Sequence, residues 1–254
     1  MLKIDQATIK FGGLTAVDHV SFEIEDNAIF GVIGPNGAGK TTLFNVISGV
    51  YAPTSGKIYL QDEDITSLQP YEICCKGIAR TYQNINLFHS MTVMENVKIG
   101  CHHTIRSNLS ANIIRTPKQR IEEKAIHEKC MELLEFVGLA DKAEYQSNNL
   151  PYGEQRKLEI ARAMATNPKL LLLDEPAAGM NSREKIDLAE LIRKINERGM
   201  TILLVEHDMK LVMNITHQIS VLNFGKKIAQ GTPKDIQENP DVIEAYLGGG
   251  LIGE

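Results

Sequence analysis

Apolar and polar residues alternate in the first part of the chain, which is the pattern of strands that bury one face. The alternating apolar positions are Leu2, Ile4, Ala7, Val20, Phe22 and Ile24. A period of two residues is typical of antiparallel strands with one solvated face. Residues 56–60 look like a further strand. We therefore predict an antiparallel β region near the amino terminus.

Three apolar runs without alternation predict strands that are buried on both faces. They cover residues 28–33, 170–173 and 201–205. Such strands are typical of parallel sheets, and a predicted helix over residues 183–198 supplies the crossover that two parallel strands need. These segments predict an α/β core.

The last part of the chain predicts a hairpin and a short helix. Residues 219–222 and 227–229 look like two strands and flank a turn at 223–226. Residues 239–240, Asn-Pro, are typical of a helix start, so we predict a helix over 241–247 before a frayed glycine tail.

Helical spacing replaces these patterns in the middle of the chain. We predict helices over residues 119–137 and 154–166. Because α/β elements lie on both sides, we predict a single domain of residues 1–254 in which 1–83 and 166–254 form the core and 84–165 a helical insertion.

Composition narrows the class of protein. Hydrophobic residues make up 43% and charged residues 23% of the 254 positions, as in ordinary globular proteins. The net charge of −5 and the absence of tryptophan give no reason to expect nucleic-acid binding. No apolar run approaches the roughly 18 residues of a membrane span, and the amino terminus lacks the apolar region of a signal peptide. We expect any contact with a membrane to come through a partner.

Residues 34–42 fit the phosphate-binding pattern G-x-x-x-x-G-K-[ST] at every position, between a predicted strand and a predicted helix. The pattern predicts a loop whose backbone N–H groups hold the phosphates of a nucleoside triphosphate. The predicted nucleotide-binding residues are Asn36, Gly37, Ala38, Gly39, Lys40, Thr41 and Thr42. Lys40 would reach the β- and γ-phosphates, and the Thr41 hydroxyl would ligate Mg²⁺. The alternative, a chance glycine-rich turn, is disfavoured by the strand and helix on either side.

Two acidic residues follow the apolar run at 170–173. At the carboxyl edge of a parallel sheet, Asp174 can hold Mg²⁺ and Glu175 can act as the base for water that attacks the γ-phosphate. A solvated turn is the alternative for this pair. His207 follows the run at 201–205 and could donate a hydrogen bond to the γ-phosphate, although a lone histidine is more often structural.

The order of these motifs resembles the ATP-binding subunits of ABC transporters over essentially the whole chain. The resemblance implies an α/β phosphate-loop NTPase core with an antiparallel β subdomain and an inserted helical subdomain. It implies that Gln83 contacts Mg²⁺ and the attacking water and senses a membrane partner. It also implies that Phe11 stacks on adenine, with Val17 as an apolar neighbour. Without the resemblance, Phe11 would be interpreted as a core residue and Gln83 as a polar loop residue.

Residues 150–155 stand where this family carries its signature L-S-G-G-x-Q. The resemblance implies that Tyr152, Gly153 and Glu154 contact the ATP of a second subunit in a head-to-tail dimer. Two positions depart from the pattern, because Pro151 replaces the serine and Tyr152 the first glycine. Asn181, at another contact to the second site, replaces the usual aspartate and keeps hydrogen bonding without the charge. We expect a weaker trans contact and altered communication between the sites.

These departures, with the insert at 101–118 and the ending 244–248, make the chain similar to the ATPases of branched-chain amino acid importers. Within them it resembles the subunit with the longer helical region. That resemblance implies a second, different ATP-binding subunit, two membrane-spanning permease subunits, an extracytoplasmic solute-binding protein reached indirectly, and a place on the cytoplasmic face of the membrane. Urea importers and the lipopolysaccharide-export ATPase have similar sequences and stay open as alternatives.

Two further predictions concern the helical insertion. Apolar residues after Gln83 form either a groove for a permease helix or part of the local core: Ile85, Leu87, Phe88, Met91, Val93 and Met94. Residues 101–103, Cys-His-His, form either a metal site or, as we expect, a surface loop.

Two other classes stay open. A soluble ABC ATPase of DNA repair or translation would require a coiled coil or a second cassette, which the sequence lacks. A degenerate subunit that binds ATP without cleaving it is disfavoured by Gln83, Glu175 and His207.

Overall fold

The computed structural model describes residues 1–101 and 117–247, which form two compact units. The first, here called the core unit, comprises Met1–Gln83 and the chain from Lys169 onward. The second, the helical unit, comprises Asn84–Pro168. Most of the predicted insert at 101–118, including His102 and His103, and the glycine tail from residue 248 lie outside the described residues.

The core unit contains an antiparallel sheet and a mixed sheet. The antiparallel sheet has the order β2-β1-β4-β5, with the strands β1 (Leu2–Phe11), β2 (Leu14–Ile24), β4 (Ser55–Leu60) and β5 (Glu63–Asp64). Leu2 pairs with Ile24 and Ile4 with Phe22, so the alternating apolar residues share one face. The predicted antiparallel region is confirmed.

The mixed sheet has the order β10-β9-β3-β8-β7-β6. Its strands are β3 (Ile29–Ile33), β6 (Ile78–Arg80), β7 (Leu170–Asp174), β8 (Thr201–Val205), β9 (Gln218–Asn223) and β10 (Lys226–Gly231). All neighbouring strands run parallel except β9 and β10, which form the predicted hairpin. Every residue of β3, β7 and β8 is buried, as the uninterrupted apolar runs predict. The predicted α/β fold class is confirmed.

Helices connect the strands and build the helical unit. They are α1 (Lys40–Ile47), α2 (Pro70–Lys76), α3 (Val93–Gly100), α4 (Pro117–Val137), α5 (Tyr152–Ala165), α6 (Ser182–Glu197), α7 (Met209–Ile215), α8 (Pro233–Gln237) and α9 (Pro240–Leu247). In the part of the chain that the structure describes, none of them combines the length and apolarity needed to cross a bilayer.

One hydrophobic cluster joins both sheets of the core unit to α1. Phe22 of β2 and Phe30 of β3 stack with ring centroids 5.1 Å apart, so the two sheets contact each other in this cluster. Phe44 and Ile47 of α1 are fully buried in the same cluster. The helix that follows the glycine-rich loop is therefore fixed by the main core rather than by its own propensity.

The helical unit has its own interior. In α5 the side chains of Arg156 and Glu159 are fully buried and form an ion pair of 2.6 Å. Thr92 caps α3 by accepting a hydrogen bond from the Glu95 N–H at 3.1 Å, while the Glu95 carboxylate accepts one from the Thr92 N–H. Paired charges and a capped helix start satisfy polar groups that burial would otherwise penalise.

Leu203→Ala is expected to lower the free energy of unfolding by about 2–5 kcal/mol, the usual cost of truncating a buried leucine. Leu203 is fully buried in β8, at the centre of the mixed sheet. The matched control is Leu14→Ala, since the Leu14 side chain is 66% exposed, and it should stay within about 0.5 kcal/mol of wild type. Urea denaturation without nucleotide measures both, and equal losses would contradict this account of the core.

Candidate active site

The glycine-rich loop at 34–42 follows β3 directly and leads into α1. Gly34 and Gly39 have φ of +151° and +99°, values that favour glycine. A Cβ at Gly34 would lie 2.1 Å from the Leu222 carbonyl oxygen, and one at Gly39 would lie 2.5 Å from that of Ala16. Both glycines are therefore required by backbone conformation and by close approach to neighbouring strands.

Lys40 begins α1 and lies almost fully buried. Its Nζ donates hydrogen bonds to the carbonyl oxygens of Gly34 at 2.7 Å and Pro35 at 2.9 Å. Burial lowers the pKa of Lys40, while the carboxylates of Glu175 and Asp174 act in the opposite direction. The ammonium group is thus oriented by the loop itself and lies within the field of both acidic residues.

An open cavity of about 550 Å³ lies over this loop, a volume within the usual range for small-molecule sites. Its lining consists of Phe11, Leu14, Thr15, Ala16, Asn36, Gly37, Ala38, Gly39, Lys40, Thr41, Thr42, Gln83, Glu175, His207, Phe224 and Gly225. The structure therefore brings every predicted nucleotide-binding residue of the loop together with four predicted residues from other segments, Phe11, Gln83, Glu175 and His207.

Phe11 and Val17 differ in where the structure places them. The Phe11 side chain is 47% exposed and its ring lies edge to face against Tyr51, with centroids 5.3 Å apart. Its interpretation as a core residue is therefore wrong. Val17 is fully buried and does not line the cavity, whereas its neighbour Ala16 does. The role of Val17 as an apolar neighbour of adenine stays a prediction.

Glu175 connects three segments of the core unit. It follows β7 with φ of +45°, a strained conformation for a residue with a side chain, held by a hydrogen bond from its N–H to the Val205 carbonyl at 2.9 Å. Gln83 Nε2 donates to one carboxylate oxygen at 2.7 Å, and His207 Nε2 lies 2.7 Å from the other. Both oxygens are fixed in direction, and each keeps a further lone pair.

Asp174 is the last residue of β7 and is almost completely buried. Arg80 Nη2 donates to its Oδ2 at 2.7 Å, whereas Oδ1 is buried without a hydrogen-bond partner. An acceptor oxygen left in this way fits a hard cation such as Mg²⁺, which prefers oxygen ligands. Sequence reasoning missed Arg80, although a charged residue at the end of the apolar strand Ile78–Arg80 was a visible signal.

Glu206, between β8 and His207, is a second residue that sequence reasoning missed. Its carboxylate is buried and accepts hydrogen bonds from the N–H groups of Ala177 at 2.7 Å and His207 at 3.1 Å. Burial raises the pKa of Glu206, which the backbone donors offset only in part. Glu206 therefore fixes the backbone at Ala177 and at His207 without lining the cavity.

The residues predicted to act on a second subunit's ATP do not line this cavity. Tyr152, Gly153 and Glu154 begin α5 in the helical unit. Pro151 precedes this helix, and the Glu154 carboxylate pairs with Lys142 at 2.5 Å. The negative charge that Glu154 brings to this helix start is therefore balanced by a cation.

Asn181 caps helix α6 of the core unit. Its Oδ1 accepts hydrogen bonds from the N–H groups of Arg183 at 2.9 Å and Glu184 at 3.0 Å. Its own N–H donates to the Glu184 carboxylate at 2.9 Å, which completes a capping box. The asparagine at this position thus keeps the capping function that an aspartate would have.

The apolar residues that follow Gln83 divide into core and surface. Leu87, Val93 and Met94 are buried, whereas the Phe88 side chain is 47% exposed. The guanidinium of Arg162 lies 5.5 Å from the centre of the Phe88 ring. Leu87, Val93 and Met94 therefore belong to the local core, Ile85 and Met91 are partly buried, and Phe88 is the one exposed member of the six. A groove for a permease helix stays a prediction.

Cys101 is not part of a surface loop. It is fully buried, and its Sγ lies 3.8 Å from that of Cys130. His102 and His103, the other members of the considered metal site, lie outside the described residues. Within residues 1–101 and 117–247, no cluster of three or more histidine, cysteine or acidic side chains could hold a metal.

Comparison with known sequences identifies the family to which these features correspond. Residues 17–178 match the family described as ABC transporter, and residues 226–251 match that described as branched-chain amino acid ATP-binding cassette transporter. The chain is 47% identical over 249 residues to BraF, the high-affinity branched-chain amino acid transport ATP-binding protein of Pseudomonas aeruginosa. The match covers 98% of each chain. The predicted resemblance is confirmed.

Solved structures show the same fold. The chain superposes on the ADP conformation of MJ1267, an ATP-binding cassette of an ABC transporter, with a TM-score of 0.85, 32% identity and coverage of 98% of each chain. It also superposes on the dimeric structure of MJ0796, a bacterial ABC transporter cassette, with a TM-score of 0.76 and 26% identity. That match covers 92% of this chain and 99% of the other.

The buried carboxyl of Glu206 makes stability depend on pH. Because its pKa is raised in the folded chain, its contribution is fully present below the unfolded pKa of about 4.3 and is lost as pH rises through the folded pKa. Glu206→Gln carries no such charge. We expect the free energy of unfolding of wild type, minus that of Glu206→Gln, to fall as the pH rises from about 4.3, the unfolded pKa of a glutamate, toward neutral pH.

Urea denaturation across this pH range measures the difference. The matched control is Glu197→Gln on the exposed end of α6, which should show no comparable dependence. A difference that rises with pH would contradict the raised pKa of Glu206.

Proposed function

This chain belongs to the family of ATP-binding subunits of ABC transporters, and we propose that it is the ATP-hydrolysing motor of an importer of branched-chain amino acids. The ATPase chemistry is carried by one observation, the Glu175 carboxylate held at 2.7 Å by both Gln83 and His207 beside the phosphate loop. The cargo rests on the similarity to BraF and on the match of residues 226–251. The motor itself would not touch the cargo.

ATP would bind along the cavity over the loop. The loop N–H groups and the amino-terminal end of α1 would face the phosphates. Lys40, whose Nζ now donates to the carbonyl oxygens of Gly34 and Pro35, would turn to the β- and γ-phosphates. Phe11, exposed and braced by Tyr51, would stack on adenine.

Mg²⁺ would be held by Thr41, Asp174 and Gln83. The unpartnered Oδ1 of Asp174 supports this set, which consists of the oxygen ligands that Mg²⁺ prefers. When bound, the ion would neutralise charge on the β- and γ-phosphate oxygens.

Glu175 would act as general base. A carboxylate whose two oxygens are fixed by Gln83 and His207 can accept a proton from a water molecule in one defined direction. The water oxygen then forms a bond to the γ-phosphorus as the bond to the β-phosphate oxygen breaks, giving ADP and phosphate. His207 would turn from Glu175 to donate a hydrogen bond to the γ-phosphate.

Two subunits would enclose two nucleotides head to tail. The dimeric structure of the similar cassette MJ0796 supports assembly into a dimer. Tyr152, Gly153 and Glu154 at the start of α5, and Asn181 at the cap of α6, would face the ATP of the partner subunit. We propose that the partner is a second, different ATPase and that closure and hydrolysis drive the membrane subunits.

The membrane subunits would dock on the surface around Phe88. Phe88 follows Gln83 closely in the sequence. Its exposed aromatic side chain is suited to anchor a partner helix. We propose two permease subunits as partners, a solute-binding protein that acts through them, and a position on the cytoplasmic face of the membrane.

Glu175→Gln should bind ATP and accumulate as a closed dimer while its turnover falls at least about 100-fold, the usual contribution of a general base. Glutamine keeps the shape of the side chain and a hydrogen-bond acceptor but does not take a proton at neutral pH. Phosphate release measures turnover, and size-exclusion chromatography with ATP measures dimerisation. The control Glu197→Gln makes the same change on an exposed part of α6 and should retain wild-type turnover. Near-normal turnover of Glu175→Gln would refute the assignment.

Purification of the tagged chain from its own gently solubilised membranes should recover two multi-span permeases and a second ATPase, identified by mass spectrometry. Phe88→Glu should lose the permeases at least tenfold, since a central aromatic anchor contributes about 2 kcal/mol or more. Its isolated ATP turnover should equal that of wild type. Recovery of the wild-type chain alone, or with ribosomal or DNA-repair proteins, would refute the transport function and leave the ATPase assignment intact.

A further inference from the structure

Arg80 contacts both Asp174 and the helix α1 that follows the phosphate loop, although it does not line the cavity. The Arg80 and Asp174 side chains are only 7% and 3% exposed and form an ion pair of 2.7 Å. Arg80 ends β6 and Asp174 ends the neighbouring parallel strand β7. A buried guanidinium and carboxylate in such contact hold each other in a defined geometry, because either charge alone would be strongly penalised.

The same guanidinium also contacts the helix that follows the phosphate loop. Arg80 Nη1 donates to Asn45 Oδ1 and to Ser48 Oγ, each at 2.8 Å. Asn45 lies on α1, whose first two residues are Lys40 and Thr41, and Ser48 is its carboxy-terminal cap. Arg80 thus fixes the distance between α1 and the end of β7.

Two aromatic rings lie close to the guanidinium. Its centre lies 5.7 Å from the centre of the Phe44 ring on α1 and 5.1 Å from that of Tyr82. Tyr82 directly precedes Gln83. A planar group with several donors can make these contacts together, which a lysine ammonium on a flexible stem cannot reproduce.

We propose that Arg80 is a positioning residue for Mg²⁺: it binds Oδ2 of Asp174 so that Oδ1 is kept for the ion, at a fixed distance from Thr41. This inference rests on the proposed role of Asp174 and Thr41 as magnesium ligands. The buried Oδ1 without a partner supports it, since Arg80 occupies one oxygen of the carboxylate and leaves the other. Arg80 acts through Asp174 and is not itself a catalytic residue.

The charge and the geometry of the Arg80 side chain have opposite effects on the affinity for Mg²⁺, and the experiment must separate them. The positive charge of Arg80 repels Mg²⁺, so its removal alone would strengthen binding of the ion. Arg80→Lys keeps the charge and removes the planar fork, so it changes geometry alone. A buried ion pair with a purely structural role would affect folding stability and leave the magnesium dependence unchanged.

The experiment measures the affinity of the full chain for a non-hydrolysable ATP analogue, with excess Mg²⁺ and with EDTA. Arg80→Lys should weaken binding of the magnesium complex at least about tenfold, the lower end of the usual effect of groups that orient metal ligands. Its affinity in EDTA should stay within twofold of wild type. Arg183→Lys is the matched control, because Arg183 pairs with Asp187 on the exposed surface of α6. It should change neither affinity.

Two further variants test the route through Asp174 and α1. In an Asp174→Asn background, Arg80→Lys should add less than a twofold effect, because both changes remove the same oriented oxygen. Ser48→Ala removes one contact of the guanidinium and leaves the ion pair. It should weaken the magnesium complex by an intermediate factor, and it tests the proposal even if Arg80→Lys does not fold.

Each outcome decides the proposal. A selective loss of magnesium-dependent affinity that disappears in the Asp174→Asn background supports it. A loss of thermal stability with unchanged affinity, an equal loss in EDTA, or no effect of Ser48→Ala would overturn it. The readout is binding, so a wild-type chain that bound the magnesium complex but failed to hydrolyse ATP or support transport would refute the proposed function and not the role of Arg80.

Discussion

The parallel order of the mixed sheet brings the carboxyl ends of β3, β8, β7 and β6 to one edge, and the chemistry of the protein depends on that edge. Adjacent strands lie about 4.8 Å apart, so side chains that leave neighbouring strand ends can meet. The phosphate loop leaves β3, His207 follows β8, Glu175 follows β7 and Gln83 follows β6. Segments far apart in the chain therefore form one site without a long connecting loop.

This arrangement requires several charges to lie out of water, and each is compensated in a different way. Lys40 donates to two carbonyl oxygens of its own loop, Asp174 pairs with Arg80, and Glu206 accepts backbone N–H groups. The site also contains unfavourable backbone strain, seen in the positive φ of Glu175. Such compensation holds polar groups in fixed directions, which electrostatic catalysis of phosphoryl transfer needs.

The departures from the family's usual pattern fit the local physics of helix starts. Proline suits the position before α5 because the first N–H groups of a helix have no internal partner. Lys142 balances the negative charge of Glu154 in the first turn of that helix, and Asn181 still caps α6. Pro151 and Asn181 thus preserve the starts of α5 and α6, but they change the chemical groups present there.

Local patterns alone were sufficient for the strands other than β5 and β6, for the hairpin and for the phosphate loop. Apolar periodicity reports which faces are buried, and the loop glycines report a backbone that tolerates no Cβ. The residues alone could not tell how deeply an apolar side chain lies, because Phe11 without the resemblance would be interpreted as core and is half exposed, while Leu87, left open between groove and core, is buried.

The sequence by itself determined the ATP-binding loop and the buried strands, because each depends on residues that are close together in the chain. The order of the motifs along the chain determined the fold class and the family. Only the tertiary structure decided that Arg80 pairs with Asp174, that Glu206 supports the backbone beside His207, and that Gln83 and His207 hold the two oxygens of Glu175. These contacts join residues up to 94 positions apart. They exist because strand order sets which chain ends become neighbours, and strand order is a property of the packed sheet rather than of any local segment.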